Sequence, residues 1–295
     1  MVETVNTPLD LPPLSWDALN ALPLPTLAPR IAYGSAPQQF GELRVPMGGG
    51  PFPVVALFHG GCWRNRFDLR HITRLAAWFA ARGVATWCAE YRRLGDEGGG
   101  WPGTLLDAAD ALDALRGLAA NCPLDLHRVY TAGHSAGGHL ALWLASRARL
   151  PPDSDLFRPA PLPVAGVLAL GAVTDLDLFR IGPPDSCHAA VELLMGGNPE
   201  AVPRRYAEAS PLRRLPLGVP QLFIHGLEDE IVAASTVEAY AHTAARAGDS
   251  VSVLSLPGAG HFDTAVVTPR SEPAFAAALA WILTGRRPKT WCLPP

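Results

Sequence analysis

Lysine is nearly absent from this sequence of 295 residues, in which Lys289 is the only lysine among 24 lysines and arginines. Schiff-base and serine–lysine chemistries both need a lysine amine in the site, so a single lysine near the C-terminus disfavours them. An excess of positive charge is missing as well, because the formal net charge is −3 and no basic stripe runs along the chain. A nucleic-acid partner is therefore not expected.

Long apolar runs are also missing. The runs at residues 164–173 and 274–283 have about ten residues each, whereas a helix needs roughly 20 to cross a bilayer. The opening residues Met1-Val2-Glu3-Thr4 lack the basic and apolar regions of a signal peptide. We therefore expect no membrane association and a cytoplasmic location.

Cysteine is scarce and scattered. The five cysteines lie at positions 62, 88, 122, 187 and 292, and none belongs to a C-x-x-C pair. Such spacing indicates neither a disulfide framework nor a zinc cluster. The sequence thus predicts no disulfide scaffold and no metal site.

Apolar residues and proline are abundant. Hydrophobic residues make up 48% of the chain and charged residues only 17%, against about 25% charged in an average globular domain, which argues against intrinsic disorder. Six prolines fall within residues 1–30, where they block helices and strand ladders. We interpret residues 1–30 as a proline-rich, extended N-terminal arm whose leucines pack on the body. A contact within a homodimer is an alternative role for this arm.

From about residue 31 to the C-terminus, apolar runs of strand length alternate with segments of helical periodicity. Uniformly apolar strands that alternate with helices indicate an α/β fold, with a mostly parallel central sheet and helices on both faces. Thr104, with Asp107 three residues later, resembles a capping box at a helix start. The predicted strands cover residues 53–58, 84–91, 128–132, 164–172, 221–225 and 251–256, and the predicted helices cover residues 68–82, 104–120, 138–149, 235–247 and 272–283.

One segment, from about residue 175 to 215, breaks the alternation. It contains short helical pieces separated by the breaks Gly182-Pro183-Pro184 and Gly196-Gly197-Asn198-Pro199. We interpret it as a small, cap-like insertion over the carboxyl edge of the sheet, where ligands bind in open α/β folds.

The strongest chemical signal is the motif Gly133-His134-Ser135-Ala136-Gly137. It follows an apolar strand and opens an apolar helix, the setting in which a strained turn exposes a nucleophilic serine. Side chains at the two flanking glycine positions would collide with their neighbours. The motif therefore predicts Ser135 as a nucleophile and directs the N–H of Ala136 towards a developing oxyanion.

A second motif, His59-Gly60-Gly61-Cys62-Trp63, ends an earlier strand. Successive glycines leave backbone N–H groups free to donate hydrogen bonds. We predict that the N–H groups of Gly61 and Cys62 join that of Ala136 in an oxyanion hole, and that the His59 side chain has a structural role. Cys62 itself is disfavoured as a nucleophile, because no histidine accompanies it in a motif.

A serine nucleophile needs a base, and the base needs a carboxylate to orient it. His261 lies in a glycine-rich loop straight after the last predicted strand, where the chain order serine, acid, histidine places the base. Asp229 lies between the two, after the preceding strand, and Asp175 is its main rival. Three aromatic residues are predicted pocket residues for substrate binding: Trp63, Trp101 and Tyr206.

Together the motifs at residues 59–63 and 133–140 resemble the α/β-hydrolase fold, over about residues 40–285. Within that fold they are similar to the carboxylesterase and kynurenine formamidase branch. The resemblance implies a Ser-Asp-His triad with neither a metal nor an organic cofactor. We therefore expect a serine hydrolase that cleaves small carboxylic esters through an acyl-enzyme. The alternatives are an arylformamidase acting on N-formylkynurenine and, in another class, a catalytically silent hydrolase-fold binding protein.

Overall fold

The centre of the molecule is a nine-stranded sheet, seen in a computed structural model that describes residues 12–292. Its strand order is β1-β2-β4-β3-β5-β6-β7-β8-β9. Strand β2 runs antiparallel to both of its neighbours, and all the other pairings are parallel. The strands are β1 (Arg30–Ala32), β2 (Phe40–Arg44), β3 (Phe52–Phe58), β4 (Ala85–Ala89), β5 (Leu124–His134), β6 (Gly166–Leu170), β7 (Gln221–Gly226), β8 (Val251–Leu256) and β9 (Trp291–Cys292).

Helices cover both faces of this sheet, as predicted. In β3, Val54, Ala56 and Phe58 belong to a hydrophobic cluster that includes residues of α3, α5 and α9, whereas Val55 and Leu57 belong to one with α2 and α10. Burial on both faces explains why the strand is apolar throughout. The helices are α1 (Trp16–Ala21), α2 (Thr73–Ala80), α3 (Gly103–Asp113), α4 (Leu115–Ala119), α5 (Ala136–Ser146), α6 (Leu176–Phe179), α7 (Ala190–Met195), α8 (Pro203–Ala209), α9 (Ala234–Arg246) and α10 (Glu272–Thr284).

The predicted capping box at Thr104 is wrong. Helix α3 has Pro102 at its N-cap position, so Thr104 lies inside the first turn. The Thr104 hydroxyl donates to the Arg92 carbonyl at 2.6 Å and accepts from the Gly100 N–H at 2.9 Å. Asp107 instead pairs with Arg92, with 2.7 Å between Oδ1 and Nη2. Both side chains therefore secure the preceding loop rather than the helix start.

The N-terminal arm packs on the body, but it is not extended throughout. Helix α1 forms in the proline-free stretch between Pro13 and Pro23, and the Ser15 hydroxyl caps it by accepting from the Ala18 N–H at 3.1 Å. The Leu14 N–H donates to the Asp263 carboxylate at 2.9 Å. This contact ties the arm to the loop after β8. Residues 1–11 of the predicted arm lie outside the described residues.

The segment that breaks the alternation contains helices α6, α7 and α8, which follow the carboxyl end of β6. A backbone hydrogen bond from the Trp101 N–H to the Leu194 carbonyl, at 2.7 Å, joins α7 to the loop before α3. Across the described range, 12–292, every helix is too short or too polar to cross a membrane.

Candidate active site

Ser135 occupies a sharp turn between β5 and α5. Its backbone has φ 57° and ψ −118°, a conformation that residues with a side chain rarely adopt. A Cβ at Gly133 would lie 2.1 Å from the Gly137 carbonyl oxygen, and a Cβ at Gly137 would lie 2.0 Å from that of Phe58. Both flanking positions therefore require glycine, and the predicted collisions are confirmed.

His261 and Asp229 meet on the loops after β8 and β7. The His261 Nδ1–H donates to Asp229 Oδ2 at 2.7 Å, and both side chains are buried. The other carboxylate oxygen, Oδ1, accepts from the backbone N–H groups of Ile231 at 2.9 Å and Val232 at 2.8 Å. Asp229 is thereby fixed in orientation, and its own position fixes the imidazole ring.

The same contacts keep Asp229 ionised. Burial alone would raise its pKa, but the hydrogen bond and charge of His261 and the N–H of Val232 lower the pKa below the ordinary value of an aspartate. At neutral pH the ionised carboxylate therefore accepts the hydrogen bond from Nδ1–H of His261, which leaves Nε2 as the ring nitrogen that can exchange a proton with a group in the cavity.

Asp175, the rival acid, has a different role. It is the N-cap residue of α6, where Oδ1 accepts from the Asp177 N–H at 2.9 Å. Burial raises the pKa of Asp175. Within residues 12–292, Asp175 makes no hydrogen bond with a histidine, so the carboxylate beside His261 is that of Asp229.

The loop after β3 presents a row of backbone donors. Gly61, Cys62 and Trp63 have φ values of 111°, 54° and 53°, and a Cβ at Gly61 would lie 2.4 Å from the Phe67 side chain. Across the described part of the chain, the N–H groups of Gly61, Cys62 and Ala136 donate to no protein acceptor. All three can therefore donate to a ligand oxygen.

His59 is part of a buried network, in agreement with its predicted structural role. Its Nε2 lies 2.8 Å from Glu90 Oε1, and its carbonyl oxygen accepts from the Tyr91 hydroxyl at 2.7 Å. Arg93 Nη1 lies 2.9 Å from the same Glu90 oxygen. These contacts hold the loop after β3 against the end of β4.

Cys62 forms a disulfide with Cys187, which corrects the prediction from cysteine spacing. Their Cα atoms lie 5.1 Å apart although 125 residues separate them in sequence. A pairing between such distant residues has no local sequence signature, because only the fold brings them together. The disulfide connects the loop after β3 to the segment between α6 and α7, and it leaves Cys62 without a free thiol.

Ser135 and His261 line one cavity of about 460 Å³. Its remaining walls are largely aromatic or apolar, and several come from residues that sequence reasoning missed. Phe67 comes four residues after the motif at residues 59–63 and Phe262 comes directly after His261, which is a signal that the sequence does contain. Trp16 has no such signal, since the arm reaches the cavity only through tertiary packing. The other lining residues are Trp16, Gly61, Cys62, Arg66, Phe67, His71, Cys187, Ile231 and Phe262.

The three predicted pocket residues lie elsewhere. Trp63 is fully buried, with its ring edge-on to His139 at 5.4 Å between centroids. Trp101 borders a separate cavity, where its Nε1–H donates to Asp155 at 3.1 Å. The buried Tyr206 donates its hydroxyl proton to the Gly197 carbonyl at 3.1 Å. Each aromatic side chain is thus engaged by a neighbour outside the cavity that holds Ser135.

Metal coordination would need several convergent ligands. No group of three histidine, cysteine, aspartate or glutamate side chains converges in this way among the residues that the structure describes. The carboxylate beside His261, that of Asp229, uses both oxygens in hydrogen bonds to protein groups.

Buried histidines pack close to the hydrogen-bonded pair of Asp229 and His261. The His134 ring lies 4.4 Å from that of His261 and 4.7 Å from that of His71, between centroids. His134 Nε2–H donates to the His261 carbonyl at 2.9 Å. Burial lowers the pKa of His134 to about 3 and that of His139 to about 4, so both are neutral in the folded protein at neutral pH.

His134 and His139 are expected to make the stability of the folded protein sensitive to acid. In the unfolded chain a histidine takes up a proton near pH 6.5, so between that pH and about 4 the unfolded state binds protons that the folded state excludes. Stability must then fall as the pH falls. From pH 7 to 5, His134 and His139 should each lower the free energy of unfolding by about 2 kcal/mol.

Urea unfolding measured at several pH values checks this. His139→Gln keeps a donor for the Ala209 carbonyl, which His139 contacts at 3.1 Å, and should lessen the pH dependence by about 2 kcal/mol. His242→Gln, at an exposed position of α9, serves as the control and should leave the dependence unchanged. A stability that stays constant between pH 7 and 5 would contradict the expectation.

The sheet, the serine turn and the aspartate–histidine pair define an α/β-hydrolase fold. A truncated carbohydrate esterase from gut microbiota superimposes with a TM-score of 0.75 at 18% identity, covering 88% of this chain and 96% of that one. A thermophilic esterase of Thermogutta terrifontis, Est2, superimposes with a TM-score of 0.68 at 21% identity, covering 90% and 95%. The predicted fold class is confirmed.

The sequence pattern of the BD-FAE family matches residues 44–243, and the chain belongs to this family. It is also 26% identical to Esterase LipC of Mycobacterium tuberculosis over an alignment of 266 residues that covers 85% of this chain. The match spans 63% of the length of that relative.

Proposed function

We propose that this protein is a serine hydrolase that cleaves small carboxylic esters, with Ser135 as nucleophile, His261 as base and Asp229 as orienting acid. The observation that carries the proposal is the 2.7 Å hydrogen bond from His261 to Asp229, because His261 lines the same cavity as a serine held at positive φ. Nucleophile, base and orienting carboxylate are the three groups that acyl transfer needs.

In the first half of the reaction, Ser135 Oγ attacks the ester carbonyl carbon while His261 Nε2 takes the hydroxyl proton. The carbonyl π bond opens, and its electron pair moves to oxygen. As the tetrahedral intermediate collapses, the bond to the leaving alcohol breaks and His261 returns the proton to that oxygen. Asp229 stabilises the imidazolium ion that forms in between. An acyl-enzyme on Ser135 remains.

In the second half, water repeats the cycle. His261 takes a proton from water as its oxygen attacks the acyl carbon, and then gives the proton back to Ser135 Oγ as the acid leaves. In both halves the oxyanion accepts hydrogen bonds from the N–H groups of Gly61, Cys62 and Ala136. Each such donor stabilises the transition state by roughly 3 to 4 kcal/mol.

The comparisons support the reaction class. The relative from Mycobacterium tuberculosis is named an esterase, as are the two structures that superimpose on this chain. A further solved structure that superimposes on this chain is that of Thermogutta terrifontis esterase 2 phosphonylated by sarin. A small-molecule ester is therefore the substrate class that we propose for this chain.

An arylformamidase activity on N-formylkynurenine is the second candidate. Trp16, Phe67 and Phe262 line the cavity, and aromatic walls favour a substrate with an aromatic ring. The same triad would attack the formyl carbon and release an aryl amine instead of an alcohol.

The two candidates are separated by measuring kcat/KM for p-nitrophenyl acetate and for N-formylkynurenine with the same preparation. We expect the ester to be preferred. A clear preference for the formamide would instead assign the protein as an arylformamidase.

The disulfide bears on location. Disulfides persist chiefly in oxidising compartments, so the bond between Cys62 and Cys187 favours such a compartment over the predicted cytoplasm. Comparing the free-thiol content of the protein purified from its source with and without a reductant tests whether the bond forms there. The homodimer stays a prediction, and sedimentation velocity measures it directly.

A further inference from the structure

A second cavity, rich in arginine, adjoins the one that holds Ser135. It encloses about 290 Å³ between the N-terminal arm and residues 66–74. Three arginines and a single acidic residue, Asp68, line it. We call it the arginine cavity, and its lining residues include Trp16, Arg66, Phe67, Arg70, His71 and Arg74.

The positive charge of the arginine cavity exceeds what protein carboxylates compensate. Arg70 pairs with Asp68, with 2.7 Å between Nη2 and Oδ2. Arg74 donates to backbone carbonyl groups, including that of Pro23 at 3.2 Å, and these carry no formal charge. The Arg66 guanidinium lies over the Phe67 ring, 4.9 Å from its centroid. In the described part of the chain neither Arg66 nor Arg74 forms an ion pair.

The arginine cavity shares lining residues with the cavity of the candidate active site. Trp16, Arg66, Phe67 and His71 line both cavities. The Trp16 and Phe67 rings pack edge to face with 5.1 Å between centroids. A ligand whose carbonyl group lies at Ser135 is therefore bordered by residues that also line the arginine cavity.

We propose that the arginine cavity accepts a carboxylate borne by the substrate, so that the enzyme prefers esters that also carry a free, ionised carboxylate. This inference rests on the proposed function and narrows its substrate class. A guanidinium matches a carboxylate in shape and charge, because its planar N–H groups can donate two parallel hydrogen bonds. The chain as a whole has a net charge of −3 and would repel anions, so a preference for a substrate carboxylate needs a local positive charge such as this one.

Matched ester pairs test the proposal. On the acyl side, p-nitrophenyl hydrogen glutarate is compared with p-nitrophenyl hexanoate, and on the alcohol side 4-acetoxybenzoate is compared with 4-acetoxybenzamide. In at least one pair we expect kcat/KM to be about tenfold higher for the carboxylate, the scale of one charge-assisted hydrogen bond. Added salt should weaken this preference, since Arg66 is exposed to solvent.

Variants assign the preference to these arginines. Arg66→Gln should lower the carboxylate-to-neutral ratio of kcat/KM about tenfold, whereas Arg66→Lys should retain part of it because the charge remains. Arg246→Gln removes the same charge at an exposed position of α9, outside both cavities, and should leave the ratio as in the wild type. The control therefore separates a local effect from a change in overall charge.

The outcomes are distinct. A preference that depends on Arg66 supports the proposal, and the pair in which it appears tells whether the acyl or the alcohol part carries the carboxylate. A ratio near one in both pairs, or a ratio unchanged in Arg66→Gln, overturns it and leaves the esterase proposal intact. Failure of the wild type to hydrolyse any of the four esters would overturn the proposed function itself.

Discussion

Replacing Ser135 by alanine is expected to lower kcat/KM for p-nitrophenyl acetate by about 10⁴-fold or more. Alanine has no oxygen to attack the carbonyl carbon, so no acyl-enzyme can form and only the oxyanion donors remain. Ser235→Ala, at an exposed serine of α9, is the matched control and should retain full activity. Initial rates for the two variants and the wild type give the comparison directly.

Labelling by a fluorophosphonate gives an independent readout of the same serine. The intact mass of the wild type should increase by one phosphonyl group, and that of Ser135→Ala should not. If Ser135→Ala hydrolysed the ester at the wild-type rate, the nucleophile would lie elsewhere. If the wild type neither hydrolysed esters nor reacted with the probe, the chain would be a catalytically silent hydrolase-fold binding protein.

Asp229→Asn is expected to lower kcat about 10³- to 10⁴-fold, while Asp175→Asn stays within about twofold of the wild type. An amide at position 229 can present its NH₂ group to Nδ1 of His261, which favours the tautomer with its proton on Nε2 and removes the base. At position 175 the side chain caps α6, and asparagine is as good a cap as aspartate.

Both variants need a stability measurement beside their kinetics, because Asp229 also accepts two backbone N–H groups. The comparison is valid for the fraction that remains folded at the assay temperature, followed by circular dichroism. If Asp175→Asn caused the larger loss of kcat with both proteins folded, the assignment of the orienting acid would have to be reversed.

The sequence by itself determined the features that depend on local backbone geometry. The turn at Ser135 needs glycine at 133 and 137 because a side chain there would overlap a carbonyl oxygen only about 2 Å away, so the motif is visible in the residue letters. The helices on both faces follow from strands such as β3, whose side chains are apolar on both faces of the sheet. The loop positions of Asp229 and His261 follow from the order of the elements.

Only the tertiary structure decided which side chains share the cavity. Trp16 reaches it because α1 and the arm pack beside the loop after β8, whereas Trp101, although it lies in a loop near a strand end, faces Asp155 in a separate cavity. The disulfide between Cys62 and Cys187 joins residues 125 positions apart. Local propensity and spacing report on neighbours along the chain, but a cavity wall or a cross-link depends on the distances that packing sets between remote segments.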